Sequence, residues 1–187
     1  RTLPEWSAEW WKWIWLQPTN EHPLFDTTGA WATNGQPDGP VFFVAGVLGS
    51  SGTIPRHLRV PESKHLFLPL RNVEAENIDT EPPLTVAQLR QAAAGFIDHV
   101  TELHAIIDGV AVTNLFLYRL FSPVYSYELT NANNTKTYQY GHPVTGPIDP
   151  ALSDGYWLML EPLAPGAHVI NFGSTVGAPF NFTIDIT

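Results

Sequence analysis

The residues best suited to chemistry cluster in Arg71-Asn72-Val73-Glu74-Ala75-Glu76-Asn77-Ile78-Asp79, directly after the apolar run His65–Leu70. If that run is a strand and continues, its two-residue period places Asn72, Glu74 and Glu76 on one face. Oxygen donors of this kind suit calcium, and Asp26 adds a third carboxylate to Glu74 and Glu76. Two carboxylates about 5–10 Å apart also serve as acid and base in glycoside hydrolysis. Glu74 with Asp154 is the pair that reading selects, with Asp26 or Glu76 as other partners for Glu74. The plain structural alternative is a solvated loop.

A second grouping is aromatic. Trp6, Trp10, Trp11, Trp13 and Trp15 crowd the N-terminal segment. Exposed tryptophans stack on sugar rings or anchor partners, so Trp10, Trp11 and Trp13 join Asn72, Glu74 and Glu76 as ligand-binding residues. Buried, the same residues would plug one end of a core. Spacing does not separate the two, because 10, 13 and 14 fit a helix while 11, 13 and 15 fit a strand.

Other motifs carry less. The histidines show no metal-ligand spacing, His57 and His65 being the nearest to a pair. The sequence Gly49-Ser50-Ser51-Gly52 does not meet the nucleophile-elbow pattern. Gly46, Gly49 and Gly52 have no lysine where a bound phosphate needs one.

The chain that positions these residues has 187 residues, enough for a single domain over 1–187 with its own core. Only 14% of residues are charged, while 17 Pro and 14 Gly make turns frequent. A net charge of −9 disfavours nucleic acid and anionic lipid as partners. Without cysteine there is neither a disulfide nor thiol chemistry. No apolar run reaches the length of a membrane-spanning helix. The chain starts at Arg1 rather than Met, as a processed or excised chain does.

The pattern predicts a mainly β, sandwich- or jelly-roll-like fold with one long helix and a short N-terminal helix. The long helix spans about 86–99, with capping-box spacing at Thr85 and Gln88. The short one lies within Ser7–Leu16, with Ser7 as its cap and Pro18 as its stop. Strands are expected at Val41–Val47, Leu58–Val60, His65–Leu70, Glu102–Ile107 and Val110–Thr113, then at Leu115–Phe121 and Val124–Leu129. Three more follow at Tyr156–Leu160, His168–Phe172 and Phe180–Ile186. Asp108-Gly109 marks a hairpin, and Pro69 marks an edge or bulge.

Several blocks occur in order: WWKWIWLQPTNEHPLFDTTG, GPVFFVAGV, VPESKHLFLPLRNVEAEN, VAQLRQAAAGFIDHVTELHAIIDG, SDGYWLMLEPLAPGAHVINFG and FNFTIDIT. Together they resemble a family of uncharacterised secreted, mostly bacterial, β-rich proteins, over nearly the whole chain. The resemblance implies export and a β-rich fold and assigns no chemistry. Some relatives carry cysteines near the positions of Ala32–Asn34 and Leu58, where this chain has none; if those form a disulfide, this protein does without it. Relatives continue a few residues past Thr187 with another Thr- and Val-rich strand segment, and ending there would leave an edge strand short, a docking point for another chain.

Three functions follow as expectations. The first is a secreted or cell-surface, non-enzymatic module that binds a ligand such as a glycan, or neighbouring subunits. The second is an extracellular hydrolase built on a carboxylate pair around Glu74. The third is a self-assembling component of a surface layer or filament. No cofactor other than calcium is suggested.

Overall fold

The computed structural model describes residues 1–48, 52–176 and 180–186, and the side chains of all these except 52, 53 and 180–186. The fold is mainly β, with three α-helices and ten strands in two five-stranded sheets among the described residues.

Helix α1 spans Leu3–Trp15. Its cap is Thr2 rather than Ser7: the Thr2 hydroxyl accepts from Glu5 N, and Glu5 reaches back to Thr2 N at 2.7 Å. Ser7 lies inside the helix, buried, and its hydroxyl donates to Pro4 O at 2.8 Å. The helix is therefore a residue longer than α2, Val86–Ile97, which the sequence singles out as the one long helix. Thr85 and Gln88 cap α2 as their spacing predicts.

The first sheet runs β1 (Val41–Phe43), β3 (His65–Ala75), β8 (Gly146–Leu160) and β6 (Arg119–Phe121), and β7 (Tyr125–Leu129) also pairs with β8. The second runs β2 (Gly52–Arg56), β10 (Phe180–Ile186), β9 (Ile170–Val176), β4 (Val100–Ile107) and β5 (Val110–Ala111). Strand β10 is therefore interior, between β2 and β9. Asp108 and Gly109 form the expected hairpin, both with positive φ, as the tight primed turn requires.

The two faces of the first sheet have different covers. Phe67 and Trp157 join the indoles of α1 in one core cluster. Leu66, Leu68, Leu70, Tyr156 and Leu158 join Ile170 and Phe172 of the second sheet in another. Beyond these, Leu152, Val73 and Ala75 pack against Leu89 and Ala93 of α2. Alternation along β3 and β8 thus sends every second side chain toward α1 and the rest toward the second sheet and α2.

Strand β3 is longer than its apolar run predicts. It continues through Arg71–Ala75, and its register against β8 shifts between Pro69 and Arg71, at the expected proline. Gly155 sits opposite Asn72, where an added Cβ would lie 2.6 Å from Arg71 O, so the irregular crossing needs a residue without a side chain.

Other elements differ from expectation. Strand β1 stops at Phe43, Leu58–Val60 is not a strand, and Leu115–Tyr118 is a 3-10 helix ahead of β6. The short helix α3, Thr135–Tyr140, has no counterpart in the hydrophobic pattern. It is made by its ends: Asn134 Oδ1 accepts from Thr137 N, and Gly141 closes it at φ 73.

Candidate functional site

Strand β1 pairs with β3 only across His65–Phe67, and Val44 N adds one more bond to Phe67 O. From Pro69 onward, β3 keeps β8 as its only strand partner among the described residues. A cavity of about 590 Å³ runs along this uncovered edge, lined continuously by residues 69–76. One wall comes from Trp10, Trp11 and Trp15 of α1, and α3 contributes Lys136, Gln139 and Tyr140.

The structure brings Trp10, Trp11, Asn72, Glu74 and Glu76 to this single cavity. Trp13 lies apart, with its indole N–H donating to Asn34 O at 2.9 Å. All five α1 tryptophans are buried, between 1% and 8% exposed, so the helix plugs the core rather than presenting an open platform. Burying an indole removes roughly 150–250 Å² from water, an upper bound of about 4–6 kcal/mol each. That gain outweighs anything an exposed sugar platform offers the unliganded chain.

The polar end of the cavity is a closed ionic cluster. The Glu74 side chain is 1% exposed; Oε1 accepts from Tyr125 Oη at 2.6 Å, and Oε2 from Tyr127 Oη at 3.1 Å. Lys136 Nζ stands 2.8 Å from Glu74 Oε2 and 2.6 Å from Glu76 Oε1, and 4.1 Å from the Trp15 ring centre. Tyr140 Oη donates to the same Glu76 oxygen at 3.0 Å. Burial pushes the Glu74 carboxyl up, against the pull of the Lys136 ammonium. Burial alone would lower the Lys136 amine, yet the charges of Glu74 and Glu76 outweigh it and raise it, so the ammonium stays charged. Burial and the neighbouring Glu74 raise the Tyr125 and Tyr127 hydroxyls well above the ordinary range, which fixes them as donors.

Two expected constellations are not assembled. Asp154 is opposite Val73 in the register, one step from Glu74's partner Ser153, and so faces the other side of the sheet. There it is 0% exposed and held by Arg119, whose Nη2 lies 2.6 Å from Oδ2, while Arg119 Nη1 reaches Asp98 at 2.7 Å. A Glu74–Asp154 acid–base pair would have to work through the sheet. Nor does Glu76 make a pair with Glu74 that could flank a sugar, because Lys136 fills the space between them.

The calcium set fails for a similar reason. Asp26 Oδ1 accepts from Thr28 N, Thr28 Oγ1 and Gly29 N at 2.7, 2.8 and 3.0 Å, and Oδ2 accepts from Trp31 N at 2.9 Å. Burial raises this carboxyl, but the four donors together hold it below the ordinary range. Its lone pairs organise the Asp26–Gly29 turn. No group of three His, Asp or Glu among the described residues is placed to hold a metal ion.

What remains open to a ligand is the cavity wall. The indole N–H groups of Trp11 and Trp15 and the Asn72 side-chain N–H are buried without a hydrogen-bond partner, and all three residues line the cavity. A buried donor left this way costs about 1–3 kcal/mol. Beside them, Glu76 Oε1 takes both of that carboxylate's bonds, from Lys136 and Tyr140.

Lys136, Tyr125, Tyr127 and Tyr140 are the site residues that sequence reasoning misses. Asn134 and Gly141, bracketing six residues, are the local signal for α3, but nothing in the sequence joins position 136 to position 74. No family model, curated protein or solved structure matches this chain.

Proposed function

We propose that this chain is a non-enzymatic, extracellular, β-sandwich-like module that binds a neutral, hydroxyl-rich ligand, a glycan, in the cavity beside β3. The observation that carries the reading is the cavity beside β3, lined by the Glu76 carboxylate and by Trp11, Trp15 and Asn72, whose side-chain N–H groups are buried without partners. Sugar hydroxyls both accept and donate, so one ring meets both kinds of group, and indole edges and faces suit its C–H surface. A cavity of about 590 Å³ is within the usual range for small-ligand sites.

The cluster supports binding over hydrolysis. Glu74 already accepts from Tyr125, Tyr127 and Lys136 and its side chain is 1% exposed, so it acts as the floor of the site. Export rests on the resemblance to secreted proteins and on the low content of charged residues.

The test is a glycan-array screen followed by calorimetric titration of the hits against Asn72→Ala and Glu76→Gln. Each substitution is expected to weaken binding about tenfold, as loss of one hydrogen bond to a desolvated partner does. The melting temperature of Asn72→Ala should stay within a few degrees of the parent, while Glu76→Gln, which removes a carboxylate from buried Lys136, is compared by affinity per folded molecule. A panel without a single saturable hit, or variants that bind like the parent, would overturn the reading. Turnover of a bound glycan that Glu74→Gln abolishes would replace it with the hydrolase.

A further inference from the structure

A second cavity, of about 680 Å³, opens on another part of the molecule, between the loop of residues 57–64 and the loop of residues 163–168. Its floor is Leu66 of β3 and Ile170 of β9. Those two residues, one from each sheet, belong to the core shared by the sheets, and Leu58, Val60 and Leu163 pack against the same core. The cavity is thus the open end of the inter-sheet core, where apolar surface continues inward.

Its rim is basic, in a chain of net charge −9. Arg1, Lys12, Arg119 and Lys136 each pair with a carboxylate. Among the described residues, Arg59 and Lys64 have no carboxylate within ion-pair distance, unlike these four, and both stand on this rim. Lys64 Nζ donates to Gly39 O alone among the described residues. Glu62 is, among the described residues, the one acid on the wall, against these two cations.

Both loops are held in place. Gly29, at φ 96, abuts His57 so closely that a Cβ would lie 2.3 Å from its carbonyl oxygen, and His57 N donates to Thr28 O at 2.9 Å. The Asp26 turn therefore seats the first loop. On the other side His168 bridges Asp108 Oδ2 and Ala164 O, each at 2.7 Å, which ties the second loop to the β4–β5 turn.

We propose that this mouth binds a single long-chain carboxylate, a free fatty acid, with its tail against Leu66, Ile170 and Leu163 and its head between Arg59 and Lys64. An apolar floor continuous with the core takes the tail, and two cations without acid partners take the head. The concave shape admits one chain, whereas the overall negative charge opposes docking on an anionic bilayer.

The experiment is a titration of ¹⁵N-labelled protein with dodecanoate below its micelle concentration, with dodecyl maltoside as the neutral-headed control. Saturable shifts are expected in residues 57–66 and 163–170, with dodecyl maltoside much weaker. The Arg59→Ala/Lys64→Ala double variant should bind dodecanoate about tenfold more weakly, the effect of two partly exposed charge contacts. Asn72→Ala should bind it like the parent, so this site stands or falls apart from the one beside β3. Shifts along β3 instead, absence of saturation, or a double variant that binds like the parent would overturn the proposal. Binding to phosphatidylglycerol vesicles without binding to dodecanoate would overturn it in favour of a membrane surface.

Discussion

Lys136 Nζ lies 2.8 Å from Glu74 Oε2, although the two residues are far apart in sequence and neither side chain is more than 3% exposed. Two carboxylates share that ammonium, because Glu76 takes its other flank at 2.6 Å. The cluster joins α3 to β3 and forms the polar end of the cavity beside β3.

Replacing Lys136 by Met leaves two carboxylates in that volume without their cation. At neutral pH the cost should be about 3–5 kcal/mol, as for a broken buried pair. Burial already raises the Glu74 carboxyl, and removing the ammonium raises it further, so acid supplies a proton that neutralises it. The penalty should therefore shrink as pH falls toward the carboxylate range. Denaturant unfolding of both proteins at two pH values measures this, and an equal penalty at both would remove the ionic explanation.

Asp154 makes the contrasting case. It is fully buried against Arg119, and the bonds to Asp154 and Asp98 raise that guanidinium's pKa further. Asp154→Ala should destabilise by roughly 3 kcal/mol, leaving Arg119 and α2 without their anchor. Ligand affinity per folded molecule should not change, since Asp154 faces away from the cavity beside β3. A tenfold loss of affinity with intact stability would put Asp154 back among the functional residues.

The difference between these two acids marks how far the sequence could be read. The alternation of Asn72, Glu74 and Glu76 is local, and β3 does continue through them. The two-sheet character and the capping of α2 are equally local signals, written in period and in Thr85–Gln88 spacing. Which face Asp154 takes depends on the register of β8 against β3, including the shift at Pro69/Arg71, and that is set by pairing between distant segments. Lys136 is invisible for the same reason: a lysine in TKTYQY reads as a surface residue until α3 is docked. The tryptophan periodicity is ambiguous because α1 is buried on more than one side, by the sheet and by residues such as Asn34 of the following loop.

His22 should give the stability curve an acid limb. Its ring is buried, Leu24 N donates to Nδ1 at 3.0 Å, and Nε2 carries the proton given to Ile14 O at 2.8 Å. Burial lowers its pKa from 6.5 to about 4. The unfolded chain thus takes up a proton near pH 6.5 that the folded chain refuses until about 4. Stability from this group is complete above the higher value and falls by roughly 3 kcal/mol on reaching the lower one. Melting curves across that window should show the loss in the parent and a flatter limb in His22→Gln. Parallel limbs in the two proteins would assign the acid loss elsewhere.

Asp26→Asn should lower stability by about 2 kcal/mol, because it weakens four hydrogen bonds made to a charged acceptor and loosens the turn against His57. Thermal melts with added calcium and with EDTA should coincide, for both the parent and the variant. A calcium-dependent rise in the parent that Asp26→Asn abolishes would mean that the carboxylate serves an ion as well as the turn.

Tryptophan emission separates a plugged core from an open face. The five indoles of α1 and Trp157 are all at most 8% exposed, leaving half-buried Trp31 as the accessible one of the seven. Emission should be blue-shifted, and quenching by iodide should be slight and nearly lost in Trp31→Phe. Trp11 and Trp15 stack at 5.1 Å and line the cavity beside β3, so a ligand bound there changes a buried, unquenched population. A glycan bound there should alter the emission of Trp31→Phe as strongly as that of the parent, and Asn72→Ala should need about ten times more ligand for the same change. Strong iodide quenching that persists in Trp31→Phe would mean that α1 turns an indole face to solvent, and the binding surface would then be the helix itself.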